Sequence, residues 1–209
     1  LGMFEHWMGS EPFRRGVIAY LQAHAQGNAE AGDLWAALSR EAGRDLGRPM
    51  STFLDQPGIP LVSAELLPGQ RVRLSQQRYL RHGTRAPVAN WEIPVVLKYP
   101  DGDSLRTQQL LLTQSTQICT LTTAAQPAWV HPNAGEKGYY RWQVPPAMLV
   151  HLAGQAQILL SPRERVGLID VNDVDASQTA RLVNISTRAF VGTGANVAVG
   201  GFIISGTGT

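Results

Sequence analysis

The feature that most constrains this chain is a change of hydrophobic period at Pro60: apolar residues recur every three to four positions before it and every two after it. The first period belongs to amphipathic helices and the second to half-buried strands, so no single all-helical or all-strand architecture accommodates both halves. Before the switch, Phe13, Val17, Tyr20, Leu21 and His24 form one stripe, with Ser10-Glu11-Pro12 suited to a first turn and Ser10 placed to cap it. A second stripe carries Leu34, Trp35, Leu38 and Ala42 and stops at Gly43, where a left-handed cap is expected. A third, shorter stripe holds Met50, Phe53 and Leu54 before Gln56-Pro57-Gly58. Three stripes imply helices packed as a layer.

After the switch, short runs are separated by turn signals such as Asp101-Gly102: Leu61 to Leu66, Arg71 to Ser75, Trp91 to Leu97, Leu105 to Thr113, Thr116 to Thr122 and Tyr139 to Val144. They predict an antiparallel β-sandwich. Helix is expected again over Pro146 to Gly154 and over Ser161 to Asp170, the latter opening like a capping box. From residue 171 onward Gly, Val and Thr dominate, and Ala180 to Ile185 and Val197 to Ile204 flank Gly192-Thr193-Gly194 as the arms of a hairpin. The expected class is α+β: an N-terminal helical segment over 1–58, an antiparallel β-sandwich over 59–145, short helices over 146–170 and a β-rich tail over 171–209.

Composition narrows the function classes. A formal charge of +2 with scattered basic residues gives no support for nucleic-acid binding. No run of about eighteen apolar residues is present to span a bilayer. Leu1 opens inside an apolar helical pattern, so the polypeptide is expected to start upstream. Cys119 is the single cysteine, which excludes an internal disulfide, and its place in an apolar strand reads as a buried thiol. The histidines His6, His24, His82, His131 and His151 offer no pair at the spacing a zinc-binding helix uses, and no HExxH occurs. His6 reads as a helix-face residue. Gly192-Thr193-Gly194 and Gly200-Gly201 read as turns and bulges, and Asp170, Asp173 and Asp175 lack the rest of a calcium loop. The expectation is therefore no catalytic, no cofactor-binding and no metal-binding residue. Among the tryptophans, Trp7, Trp35, Trp91 and Trp142 read as core, while Trp129 and Tyr139-Tyr140 lie near turns where a binding face could form.

Ordered segments nonetheless carry a resemblance. Met3-Phe4-Glu5-His6-Trp7-Met8-Gly9, Phe13-Arg14-Arg15-Gly16, Tyr20-Leu21, Asn28-Ala29, Asp33 to Leu38 and Gln56 to Val62 resemble the stretch C-terminal to the catalytic centre in aminopeptidase N-like zinc peptidases, the gluzincins. Trp91-x-Ile93-Pro94-Val95, Trp129, Asn133-Ala134-Gly135 and Gly138-Tyr139-Tyr140-Arg141 are similar to the β-sandwich that comes next. Leu160-Ser161-Pro162 to Asp170 is similar to the start of the C-terminal helical domain, so the resemblance spans about residues 1–170. It implies that the GxMEN motif, the HExxH, the third-ligand Glu and the transition-state Tyr precede this stretch and map to no residue here. Zinc then belongs to the parent enzyme, which removes N-terminal residues from peptides. The partner of this chain is the upstream catalytic portion of the same polypeptide, and the chain alone is expected to be inactive. Residues 176–209 instead resemble the start of a β repeat of bacterial secreted or surface proteins. The alternative reading is thus a secreted β-sandwich binding module without enzymatic activity.

Overall fold

A computed structural model describes residues 1–80, 85–159, 181–189 and 198–205, with side chains placed as far as residue 154. The helix expected over Ser161 to Asp170, the loop at Gly192-Thr193-Gly194 and Asp170, Asp173 and Asp175 lie outside the described residues.

Four helices come first: α1 (Gly2–Met8), α2 (Ser10–Ala23), α3 (Ala31–Ala42) and α4 (Gly47–Leu54). α1 buries Met3, Phe4, Trp7 and Met8, a stripe one turn deep. Ser10 does not cap α2 as the sequence suggested: Gly9, with φ of 94°, takes that place without a side-chain bond, because the sharp exit from α1 needs a residue free of a Cβ. α2 and α3 approach closely at Gly16, the one buried residue of α2; a Cβ there would stand 2.9 Å from Leu38 Cδ2 and 3.1 Å from Leu38 Cα. Asp33 accepts from the Glu30 backbone N–H at 2.8 Å at the start of α3, and Gly43 closes that helix in the left-handed conformation. Arg44, in the next turn, stacks 3.9 Å from the Trp7 ring centroid and donates to the Trp7 carbonyl, fixing the α3–α4 connection to α1.

The strands are β1 (Pro60–Leu67), β2 (Arg71–Arg78), β3 (Ile93–Asp101), β4 (Ser104–Leu112), β5 (Thr116–Thr120) and β6 (Arg141–Gln143), after which comes helix α5 (Pro146–Leu159). One sheet has the order β5-β2-β1-β6 and the other is the pair β3-β4. β6 runs parallel to β1, so the first sheet is mixed rather than wholly antiparallel. The chain between β5 and β6 does not turn back as a hairpin; it passes along β3, bridging Lys98 and His131, and returns in the direction of β1. β7 (Arg181–Ala189) and β8 (Ala198–Ser205) form the antiparallel hairpin that the tail pattern predicted.

In the first sheet the inward row is Val62 and Ala64 on β1, opposite Gln76 and Leu74 on β2, with Trp142 beside Val62 and Cys119 beside Val72. Its outward row is polar, with Arg73 paired to Glu65 at 2.7 Å and Gln143 donating to Ser63 Oγ at 2.7 Å. β3 is covered on both sides. Ile93, Val95, Leu97 and Tyr99 have no solvent exposure. On the opposite row Glu92 turns to Arg48 of α4 at 2.6 Å, and α1 also lies against β3. Helices and strands consequently share one apolar core, from Met3 and Leu46 through Trp91 to Leu152.

A polar side chain sits inside this core. Gln76 is buried, its Nε2 donates to Trp91 O at 2.8 Å and to Gln114 O at 3.1 Å, and its Oε1 accepts from Trp91 N–H at 2.8 Å. The carboxamide pairs with Trp91 as a backbone neighbour would, and thereby ties the two sheets together. Replacing it by Ala leaves the Trp91 N–H and C=O unpartnered in an apolar site. Gln76→Ala is expected to lower unfolding free energy by about 2–3 kcal/mol, read as a shift of the urea midpoint with the slope unchanged.

Candidate functional site

The richest polar constellation among the described residues lies in the segment from His131 to Trp142. His131 has no solvent exposure. Its backbone bridges Lys98 in both directions, and its Nδ1 accepts from the Asn133 N–H at 3.2 Å, which leaves Nε2 as the ring's N–H. Nε2 stands 3.2 Å from Glu136 Oε1 but off the hydrogen-bonding direction, so the contact is electrostatic. Glu136 receives Trp142 Nε1–H on Oε1 and Asn133 Nδ2–H on Oε2, both at 2.9 Å. Trp142 lies on the His131 ring with centroids 4.6 Å apart. Asn133 Oδ1 accepts from Gly138 N–H at 2.8 Å, and Tyr140 OH donates to Pro132 O at 2.7 Å.

Local conformation explains how these groups meet. Gly135 (φ 72°) and Glu136 (φ 50°) are successive left-handed residues, which reverse the chain within a short 3-10 turn and bring Glu136 back over His131. Gly138 is crowded by the Tyr140 ring and by Asn133 Oδ1, so no side chain fits there. Burial, and next the nearby Glu136 carboxylate, push the Tyr140 hydroxyl well above the usual phenol range. The constellation is thus a phenol that resists ionisation, an imidazole engaged at Nδ1 and a clamped carboxylate, all turned inward. It holds a loop together and presents no nucleophile or base to a substrate.

Zinc, which the sequence resemblance implies for the parent enzyme, needs three protein ligands converging on one point. Among the described residues no group of three His, Cys, Asp or Glu side chains does so. His6 and His151 are exposed on helices, and His24 contacts Asp33 at 3.9 Å. His131 has one ring nitrogen engaged by Asn133 and the other against Glu136. The described residues do not fit the metal; His82 lies outside them. Cys119 is half-buried on β5, and burial raises its thiol from 9.0 to about 11, so at neutral pH it is no thiolate. Trp129, expected near a turn as part of a binding face, is instead core, as is Tyr140; Tyr139 alone of the three is exposed. Its ring meets Phe53 edge-on at 6.5 Å, and Phe53 meets Phe4 at 6.0 Å. The sequence reading missed Glu136 and Gln76. For Gln76 a signal existed, a polar residue on the inward row of an alternating strand.

Comparison with known proteins adds the family. Residues 1–53 match the peptidase family M1 domain. The tricorn protease-interacting factor F2 of Thermoplasma acidophilum is 33% identical over 68% of this chain and 16% of its own length. Aminopeptidase N of Lactococcus lactis subsp. lactis is 34% identical over 56% of this chain and 14% of its own length. The mitochondrial aminopeptidase 2 of Saccharomyces cerevisiae is 29% identical over 90% of this chain and 20% of its own length. The chain thus spans about a fifth or less of the relatives it matches. A match to 90% of 209 residues cannot be contained in residues 1–170, so the similarity runs on into the tail. Nothing in the comparisons supports a secreted β repeat for residues 176–209.

These side chains carry two expectations. Glu136→Ala strands the Trp142 and Asn133 donors and is expected to cost about 2–3 kcal/mol, with the indole emission of Trp142 altered before global unfolding in a denaturant series. For Cys119 the sign is fixed by the raised thiol: the unfolded group ionises near 9.0 while the folded one keeps its proton to about 11. The stabilisation is complete below pH 9, then lost as pH rises through the folded value. Melting temperatures from pH 8 to 11 should fall more steeply in the wild type than in Cys119→Ala.

Proposed function

We propose, from the premise that the chain belongs to the aminopeptidase N-like family of M1 peptidases, that it is the stretch lying C-terminal to the zinc site and that it carries no catalytic residue of its own. In this reading residues 1–58 are the closing helices of the peptidase catalytic domain and wall its cavity. Residues 59–145 are a spacer sandwich, 146–170 begin a C-terminal helical domain, and 171–209 continue the chain beyond it. The parent enzyme removes N-terminal residues from peptides with a zinc-activated water, and the partner of this stretch is the upstream catalytic portion of the same polypeptide.

The observation that carries the reading is the position of the family match. It occupies residues 1–53 and ends in the last turn of α4, just ahead of the first strand at Pro60. The inward-turned polar groups of the His131 segment support a structural role for the strands and loops beyond Pro60. Without converging ligands a chain has nothing with which to lower the pKa of a bound water.

The test is hydrolysis of a panel of amino-acid arylamides by the purified chain, with zinc measured on the same sample. Expected are no turnover above the buffer blank and zinc far below stoichiometric. Turnover accompanied by about one zinc per chain would overturn the reading and place a site among the residues assigned structural roles.

A further inference from the structure

Two N–H groups stand without an acceptor in one buried corner, where the exit from α4, the end of β2 and the entry to β3 meet. Trp91 is fully buried. Its backbone is satisfied on both sides by Gln76, yet its indole Nε1–H has no partner. Arg78, the last residue of β2 and the register partner of Pro60, holds its guanidinium carbon 5.8 Å from the centroid of that indole. The Arg78 Nε–H is also buried and also unpartnered. The stem of Arg78 runs along Gly58, whose φ is 107° and where a Cβ would stand 3.4 Å from Arg78 Cγ and Cδ. The left-handed conformation at residue 58 favours glycine and sets its backbone against the arginine stem.

The neighbouring arginines are different. Arg48 has Glu92, Arg73 has Glu65 and Arg106 has Asp101, each within 2.7 Å. No described carboxylate pairs with Arg78. Buried donors in folded proteins are almost always met by an acceptor. The Nε edge of a guanidinium offers parallel Nε–H and Nη–H groups, whose spacing matches the two oxygens of a carboxylate.

We propose that this corner is a binding site for a small carboxylate, which accepts from the Nε/Nη edge of Arg78 and from Nε1–H of Trp91. An anion fits better than a neutral acceptor, because no described carboxylate stands beside the half-buried Arg78 guanidinium and an anion supplies opposite charge along with the lone pairs. Gly58, Arg78 and Trp91 form the site, and Gln76 positions it by fixing the Trp91 backbone.

The measurement is a titration of the full chain with sodium formate and sodium acetate, at ionic strength held constant with sodium chloride and monitored through the indole N–H signals of the five tryptophans. Trp91 is identified by the signal missing from W91F. Expected is a saturable shift of the Trp91 indole alone, absent from R78Q. Should W91F fail to fold, the one indole signal that responds in the wild type and is silent in R78Q serves in its place. An indole spectrum indifferent to both carboxylates overturns the proposal and leaves the corner to water. So does an unchanged response in R78Q, or an equal response to chloride alone.

Discussion

The structure depends on covering β3 on both faces. A strand that carries Ile93, Val95, Leu97 and Tyr99 on one row, all without solvent exposure, and Pro94 and Val96 on the other cannot remain at the surface of a two-layer sandwich. Each such side chain contributes about 1.5–3 kcal/mol when withdrawn from water. Strand and helix residues meet around it in one cluster: α1 lies against β3, and Arg48 of α4 reaches Glu92 just ahead of it. The helical layer is therefore part of the same core as the strands.

That shared core determines which polar groups are allowed inside it. Gln76 is tolerated because its carboxamide meets the Trp91 backbone on both sides. Nearer the surface, Gln108 makes a similar pair of bonds, donating to Thr120 O and accepting from Thr122 N–H, both at 2.9 Å. Two glutamines, one buried and one near the surface, thus stand in for backbone pairing where the chain leaves a sheet. Glu136 is tolerated on the same principle, with a donor on each oxygen. Trp91 Nε1, Arg78 Nε and His131 Nε2 depart from this pattern, and the first two of them share one corner.

In the function proposed above, this stretch shapes a site that other residues supply. Several of its described titratable groups are held in arrangements suited to packing: an imidazole engaged at Nδ1, a phenol that resists ionisation and a half-buried thiol pushed up to about 11. Chemistry requires groups poised near neutrality and open to a substrate. The membership in a peptidase family and the packed character of these groups are consistent when this stretch supports a site built by other residues.

Helices, strands and their order were legible in the residues, since a period of 3.6 or 2 is a local property that one chain segment carries by itself. Gly43 as a left-handed cap and Asp101-Gly102 as the β3–β4 turn were equally readable, because only backbone sterics decide them. Tertiary structure decided what depends on residues distant in sequence. It set β6 parallel to β1, because a loop long enough to pass along β3 permits either direction. It buried Trp129 and Tyr140 although both adjoin turns, and it brought His131, Asn133, Glu136 and Trp142 together through two left-handed residues. Partnership between polar groups is a matter of position in space, and no hydrophobic period encodes it.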